Sequence, residues 1–104
     1  MNELILVLTT MPGDGRADDL ARTLVEERLA ACVNVHGPMT STYRWQGRVE
    51  VEPERQVVMK TTRARLAALE ARLHVLHPYE LPEFIVIDVA ASAAYEGWAN
   101  SATA

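Results

Sequence analysis

The chain has 104 residues, 49% of them apolar, and a formal net charge of −4 at pH 7. This length predicts a single globular domain over residues 1–104. The negative charge and the scattered basic residues argue against nucleic acid and anionic membranes as main partners.

The N-terminal third predicts a strand, a helix and a second strand. The apolar run in ELILVLTT (residues 3–10) is typical of a central strand buried on both faces, and it is too short to span a membrane. The apolar side chains of RADDLARTLVEERLAA (residues 16–31) have helical spacing, and Asp14 is placed to cap the helix. ACVNV (residues 31–35) returns to a strand pattern, so the three elements predict a right-handed βαβ unit.

A long hairpin follows. Residues 40–51 alternate as a strand does, with Tyr43 and Trp45 on the same face. Gln46-Gly47 predicts a turn, and RQVVMKT (residues 55–61) predicts the returning strand. So long an extended segment has an apolar face that something must cover.

The second half of the chain predicts a helix, a strand and a short helix. TTRARLAALEARLHVLHP (residues 61–78) is a helix that Thr62 can cap and Pro78 ends. Its apolar stripe consists of Leu66, Leu69, Leu73 and Leu76. FIVIDVA (residues 84–90) predicts another strand buried on both faces, and SAAYEGWANS (residues 92–101) a short C-terminal helix.

The resulting order, β-α-β-β-α-β plus a short helix, predicts an α+β fold of the ferredoxin-like βαββαβ sandwich class, with a long β-hairpin. Two helices can cover only one face of the sheet. The other face and the hairpin need a partner, and the simplest partner is another copy of the chain.

Four segments carry a resemblance to a known family. RLAACVNV, STYRWQGRVE, MKTT and HPYELPEFIVIDV occur in this order. Together they resemble the CutA family of divalent-cation tolerance proteins over residues 4–100, and HPYELPE is the most specific of them. The resemblance implies a tight homotrimer in which the long hairpin joins the neighbour's sheet, with an architecture like that of the PII signalling proteins.

The resemblance also implies a role in tolerance to copper and other divalent metals. Some members of the family bind copper through a Cys at the end of the first strand and a His-His pair before Pro-Tyr. The corresponding positions here are Thr9, Leu76 and His77, so only one of the three is retained. His77 is the candidate metal ligand, since imidazole suits copper and zinc. The alternative is that His77 caps the helix that ends at Pro78.

The HPYELPE segment contains the other candidate site. Tyr79, Glu80 and Glu83 lie in a polar, proline-containing loop, where functional residues are common. Lys60 could neutralise Glu80 or Glu83 across an inter-subunit cleft, or bind an anion. The alternatives are that Tyr79 anchors the loop on a neighbouring subunit and that Lys60 forms a structural ion pair.

Tyr43 and Trp45 are predicted to pack in the trimer interface rather than to form a ligand platform. Glu50, Glu52 and Glu54 are spaced by two and could gather a hard cation, although a solvated strand edge explains them as well. No nucleophile–base pair or glycine-rich phosphate loop is present, so the sequence does not predict an enzyme.

Two functions are therefore compatible with the sequence. The first is a homotrimer that binds a divalent cation such as copper and takes part in metal tolerance without catalysis. The second is a PII-like sensor that binds a small ligand in clefts between subunits and reports to a partner protein. The single cysteine, Cys32, and the lack of a signal peptide predict a cytoplasmic location.

Overall fold

The computed structural model of the protein describes residues 3–104 and has the element order that the sequence predicts. The elements are β1 (Leu4–Pro12), α1 (Arg16–Glu26), β2 (Cys32–Trp45), β3 (Arg48–Thr62), a 3₁₀ turn (Arg63–Arg65), α2 (Leu66–Leu76), β4 (Ile85–Asp88) and α3 (Ala93–Ala102). The strands form an antiparallel sheet in the order β2-β3-β1-β4. Among the described residues, no helix is both long and apolar enough to cross a membrane.

β1 is a central strand, as its apolar sequence predicts. It pairs with β3 from Leu4 to Pro12 on one side and with β4 on the other. Because β3 is antiparallel to both β1 and β2, these two strands run in the same direction with β3 between them. The predicted βαβ unit is therefore split by a strand that comes later in the chain.

One face of the sheet, here called the helix face, carries the main core. Ile5 and Val7 of β1 and Val57 and Met59 of β3 alternate with residues on the opposite face, and all four are fully buried. They pack with the apolar sides of α1 and α2, namely Ala17, Leu20, Leu24, Leu69 and Leu73. The leucine stripe predicted for α2 is confirmed, and it faces this core.

The opposite face, here called the open face, is only partly covered. Leu6, Leu8 and Val58 are half-buried, whereas Ile85 and Ile87 of β4 are 47% and 39% exposed. The prediction that the last strand is buried on both faces is wrong for the single chain. β4 has four residues at the edge of the sheet, and α1 and α2 pack on the face opposite to Ile85 and Ile87.

Strands β2 and β3 form the predicted long hairpin. Gln46 and Gly47 make its turn with positive φ angles of 50° and 79°, as a two-residue turn between twisted strands requires. β1 pairs only as far as Glu54, so residues 40–53, here called the hairpin arm, project as two strands alone. The arm helps to give the molecule a long axis of 44 Å against 24 and 23 Å.

The helix ends differ in detail from the predictions. α1 ends at Glu26 rather than at residue 31, because the chain turns away through Arg28, whose φ is 61°. Asp14 does not cap α1 in the predicted way: the N-cap position is Gly15, and Asp14 accepts the backbone N–H of Arg16 at 3.0 Å and pairs with its guanidinium. None of the residues Asp14, Gly15 and Arg28 lines the cleft described below.

α3 packs beside the start of β1. The Ser92 hydroxyl caps α3 by accepting the Tyr95 N–H at 3.2 Å. Ala99 is fully buried in a small second cluster with Leu4 and Ala31. The aromatic side chain of Trp98 is turned away from this cluster and is 47% exposed. α3 therefore adds little cover to the centre of the open face.

Candidate functional site

An open cleft of about 980 Å³ lies between the hairpin arm and the loop that follows α2. Its volume is within the range of small-molecule sites. The hairpin contributes Tyr43, Trp45 and Glu54, and the loop contributes Tyr79 through Glu83. The cleft therefore brings together five residues that the sequence assigned to two places: Tyr43, Trp45, Tyr79, Glu80 and Glu83.

Tyr79 is fixed by a buried carboxylate. Its hydroxyl donates a hydrogen bond of 2.6 Å to Oε2 of Glu54, which is only 6% exposed. Burial of the phenol, reinforced by this bond and by the negative charge of Glu54, raises the pKa of Tyr79. Tyr79 therefore remains a neutral donor at physiological pH, and the loop is tied to β3 at this point.

A second contact ties the far end of the loop to the same strand. Nε2 of Gln56 donates to the backbone carbonyl of Thr9 at 2.7 Å and to Oε2 of Glu83 at 3.1 Å. Glu83 thus lies beside the strands, whereas Glu80 is exposed at the cleft surface. Because Tyr79 and Glu83 are both held to β3, the cleft wall between them is positioned before any ligand arrives.

His77 is buried beneath this loop, and both of its ring nitrogens have partners. Nδ1 accepts the backbone N–H of Tyr79 at 3.1 Å. Nε2 lies 2.8 Å from the carbonyl oxygen of Thr10 and 3.2 Å from the hydroxyl of Thr9. Since Nδ1 accepts, Nε2 must carry the proton, which makes the ring a neutral tautomer. Burial lowers the pKa of His77 and favours this neutral form.

This geometry bears on the predicted metal role of His77. A metal ion binds a lone pair on an imidazole nitrogen, and the only lone pair of this tautomer already accepts the Tyr79 N–H. Metal binding at His77 would therefore require the loop to move or the tautomer to change. Among residues 3–104, no three His, Cys, Asp or Glu side chains are grouped closely enough to hold a metal ion.

The hairpin side of the cleft is aromatic and acidic. The strand register places Tyr43 opposite Glu50 and Met39 opposite Glu54, so these side chains share a face. Tyr43 and Trp45 are 42% and 38% exposed in the single chain. Desolvation, followed by the charges of the neighbouring glutamates, raises the pKa of Tyr43. The aromatic rings of this wall can thus contact a ligand or a partner, and the glutamates give the wall a negative electrostatic potential.

Lys60 lies apart from the other predicted cleft residues within one chain. It is four residues along β3 from Gln56, which places it roughly 13 Å further along the strand. There it is paired with Cys32 across the strands, and its ammonium is 6.0 Å from the centre of the Tyr95 ring. Lys60 could meet Glu80 or Glu83 only between two copies of the chain, so its place in the cleft stays a prediction.

Sequence reasoning missed the two residues that organise the cleft, Glu54 and Gln56. Glu54 was grouped with Glu50 and Glu52 as an exposed acidic edge, although it is nearly buried. The sequence feature that could have indicated its burial is its position just after Pro53, where the arm rejoins the body of the sheet. That feature does not identify the side chain of the distant loop that contacts the carboxylate.

The fold and the cleft define a small α+β protein with a projecting β-hairpin and an acidic, aromatic cleft beside an uncovered sheet face. Comparison with known proteins assigns it more closely. The sequence profile of the family described as "CutA1 divalent ion tolerance protein" matches residues 5–102. The chain belongs to this family, as the resemblance predicted.

Individual relatives agree with this assignment. The divalent-cation tolerance protein CutA of Thermus thermophilus is 43% identical over 90 residues, which cover 86% of this chain and 85% of that protein. The CutA protein of Citrobacter koseri is 39% identical over 100 residues, which cover 95% and 87% of the two chains. The crystal structure of CutA from Xylella fastidiosa superposes with a TM-score of 0.93 at 39% identity, covering 99% of this chain and all of that one.

Proposed function

We propose that the protein is a homotrimer of ferredoxin-like subunits that binds divalent cations such as copper and takes part in cytoplasmic metal tolerance without catalysis. The observation that carries this proposal is the match of residues 5–102 to a family described by divalent ion tolerance. The relatives from Thermus thermophilus and Citrobacter koseri are likewise named for tolerance of divalent cations. These names describe no reaction, which supports a role without catalysis.

The strand order β2-β3-β1-β4 supports the ferredoxin-like subunit. The open face supports the trimer, because its apolar side chains lie next to one another. Ile85 and Ile87 of β4 lie beside Leu8 and Leu6 of β1, and all four are at least partly exposed. Contiguous exposed apolar surface is typical of a protein interface. Tyr43 and Trp45 on the hairpin arm extend this surface toward a neighbour.

Metal binding is tested by titrating the protein with Cu²⁺ and Zn²⁺ in a calorimeter. Wild type is expected to bind one of these ions, and His77→Ala is expected to lose binding if the imidazole is a ligand. His74→Ala is the matched control, because His74 is exposed and its Nδ1 contacts only a backbone carbonyl of its own helix. Retained metal binding in His77→Ala would show that the metal site lies elsewhere. A wild-type protein that binds neither ion would contradict the metal role.

The cleft favours a second candidate, a PII-like trimer that binds a small ligand between subunits and reports to a partner protein. Its support is the cleft of about 980 Å³ with aromatic walls, which lies within one chain beside the open face against which a neighbouring subunit would pack. Calorimetry with adenine nucleotides and other small molecules tests it under the same conditions. Binding of a small molecule without any response to metal ions would favour this function over the first, and binding of none would contradict it.

A further inference from the structure

We propose that His77 is a positioning residue, which holds the loop that follows α2 (residues 78–83) onto β1, and that its imidazole is not a metal ligand in this chain. This inference goes beyond both functions proposed above, and it stands whether or not the protein binds a metal ion at another position. It rests on contacts made within one chain. The side chain is only 7% exposed, so a neighbouring copy that covers the open face can only bury it further.

The local sequence places His77 where the hydrogen bonding of α2 ends. Its backbone N–H donates to the carbonyl of Leu73 at 2.8 Å, and its own backbone is extended, as is usual before a proline. Pro78 has no N–H, so the N–H of Tyr79 is the first donor of the loop. Nδ1 of His77 accepts this N–H at 3.1 Å. The imidazole thus supplies the acceptor that the helix no longer provides.

The other side of the ring is attached to β1. Nε2 lies 2.8 Å from the carbonyl oxygen of Thr10 and 3.2 Å from the hydroxyl of Thr9. The ring also contacts the ring of Tyr79, with 4.8 Å between their centroids, and the Tyr79 hydroxyl donates to Glu54 of β3. His77 therefore connects β1 to the residue that contacts β3, and this connection positions the loop across two strands.

Metal binding at either ring nitrogen breaks the same hydrogen bond. A metal ion at Nδ1 takes the lone pair that accepts the Tyr79 N–H. A metal ion at Nε2 requires the ring proton to move to Nδ1, where it faces the Tyr79 N–H as a second donor. That route also removes the donor to the Thr10 carbonyl. A partly buried N–H is left without an acceptor in both cases, which disfavours the metal-bound state.

The surroundings of His77 supply no further ligand for copper or zinc. These metals are held in proteins by several imidazole, thiolate or carboxylate groups. The side chain of β1 that contacts Nε2 is the Thr9 hydroxyl, which is none of these. In the part of the chain that the structure describes, residues 3–104, no three His, Cys, Asp or Glu side chains form a metal-binding group. The residues present therefore do not fit a copper or zinc site at His77.

The state of the ring is measured by ¹H–¹⁵N NMR at pH 7.5. The wild-type spectrum is expected to show a proton on Nε2 of His77 and an unprotonated Nδ1. Excess Zn²⁺ is expected to leave both nitrogen shifts unchanged, even if calorimetry shows that the protein binds Zn²⁺. A ring with its proton on Nδ1, or a shift of either nitrogen that saturates with Zn²⁺, would overturn the inference.

The positioning role is measured by hydrogen exchange of the Tyr79 amide. His77→Ala removes the acceptor and is expected to raise this exchange rate about tenfold, the effect of one hydrogen bond. His77→Asn keeps an acceptor oxygen at the position of Nδ1 along the side chain, so its rate should stay closer to wild type. The Glu96 amide, which donates to Ser92 in α3, reports any general loss of stability. His74→Ala is the matched control, because His74 is exposed and contacts only a carbonyl of its own helix.

Calorimetry with Cu²⁺ and Zn²⁺ completes the test. Equal metal affinity in wild type, His77→Ala and His77→Asn is expected, and binding that both variants lose but His74→Ala retains would overturn the inference. An unchanged Tyr79 exchange rate in His77→Ala would overturn it as well. If His77→Ala does not fold, His77→Asn replaces it in the titrations, and a Tyr79 amide that is unprotected in His77→Asn would contradict the role of the acceptor. A wild-type protein that binds neither ion would contradict the first proposed function and agree with this inference.

Discussion

The hydrogen bond between Tyr79 and Glu54 is expected to stabilise the loop that forms one wall of the cleft. Tyr79→Phe removes the hydroxyl and leaves the ring in place. Glu54 then loses its one hydrogen-bond donor within residues 3–104 while it stays 6% exposed. A hydrogen bond to a charged group contributes about 1.5–3 kcal/mol. Because the cleft is open and water can reach part of the site, we expect the lower end, about 1.5–2 kcal/mol.

The assay is urea unfolding followed by circular dichroism at one fixed protein concentration, since association would make stability depend on concentration. With a slope of roughly 2 kcal/mol per molar urea, the expected loss lowers the midpoint by roughly 1 M without changing the slope. Tyr43→Phe is the matched control. Its ring lines the same cleft, but its hydroxyl has no hydrogen-bond partner among residues 3–104, so no change is expected.

Two results would refute this reasoning. The first is an equal midpoint for Tyr79→Phe and Tyr43→Phe, which would mean that the bond to Glu54 contributes nothing. The second concerns the variant Glu54→Gln, in which the buried charge is gone. Tyr79→Phe is expected to cost less in that background than in wild type, and an undiminished cost would show that the carboxylate charge is not what the hydroxyl stabilises.

Three further predictions concern the buried histidine, the hairpin arm and the core. The lowered pKa of folded His77 means that the unfolded ring takes up a proton first as the pH falls below the ordinary value of 6.5. The free energy of unfolding should therefore fall with pH from about 6.5 down to the folded pKa, by at most about 1.4 kcal/mol per pH unit. Urea midpoints at pH 7.5 and 5.5 measure this, and an equal pH dependence in His77→Asn would contradict it. Trp45→Ala should weaken the proposed trimer by a few kcal/mol per site, the range of interface anchors. Sedimentation on dilution to micromolar concentration tests this, and an unchanged mass would count against it. Leu69→Ala should destabilise the fully buried core by about 2–5 kcal/mol in the urea assay. Val75→Ala, at a position that is 74% exposed on the same helix, should not, and similar midpoints for the two variants would exclude the proposed packing.

Strong local patterns were enough to predict the architecture. The apolar run of β1 identified the central strand, and the leucine spacing of α2 identified the helix that packs on it. Gly47 identified the hairpin turn, because Gly readily takes the positive φ angle that such a turn requires. Each of these signals depends on residues close together in the chain, so no tertiary information was needed.

The error at β4 has a physical cause. A continuous apolar strand indicates that both faces are to be covered, but the sequence does not say what covers them. In the single chain β4 is at the sheet edge, and Ile85, Val86 and Ile87 are all between 39% and 47% exposed. The apolar pattern is consistent with the proposed association, in which the cover comes from another copy.

The candidate site was predicted only in part, and the cause is similar. Tyr79, Glu80 and Glu83 were selected from the loop, and Tyr43 and Trp45 from the hairpin, but their presence in one cleft depends on how the arm is placed against the loop. The role of Glu54 could not be predicted, because its hydrogen-bond donor, Tyr79, is 25 residues away in the chain. The partners of Nε2 of His77, which are groups of Thr9 and Thr10, likewise depend on β1 passing beneath the loop.

Native mass spectrometry of the protein with and without added Cu²⁺ or Zn²⁺ tests the proposed function most directly, because one spectrum reports both association and bound ions. The account predicts a dominant species with three times the 11.5 kDa mass of the chain, together with bound divalent ions after metal addition. A species of 11.5 kDa that stays monomeric at all concentrations and takes up no metal ion would contradict it.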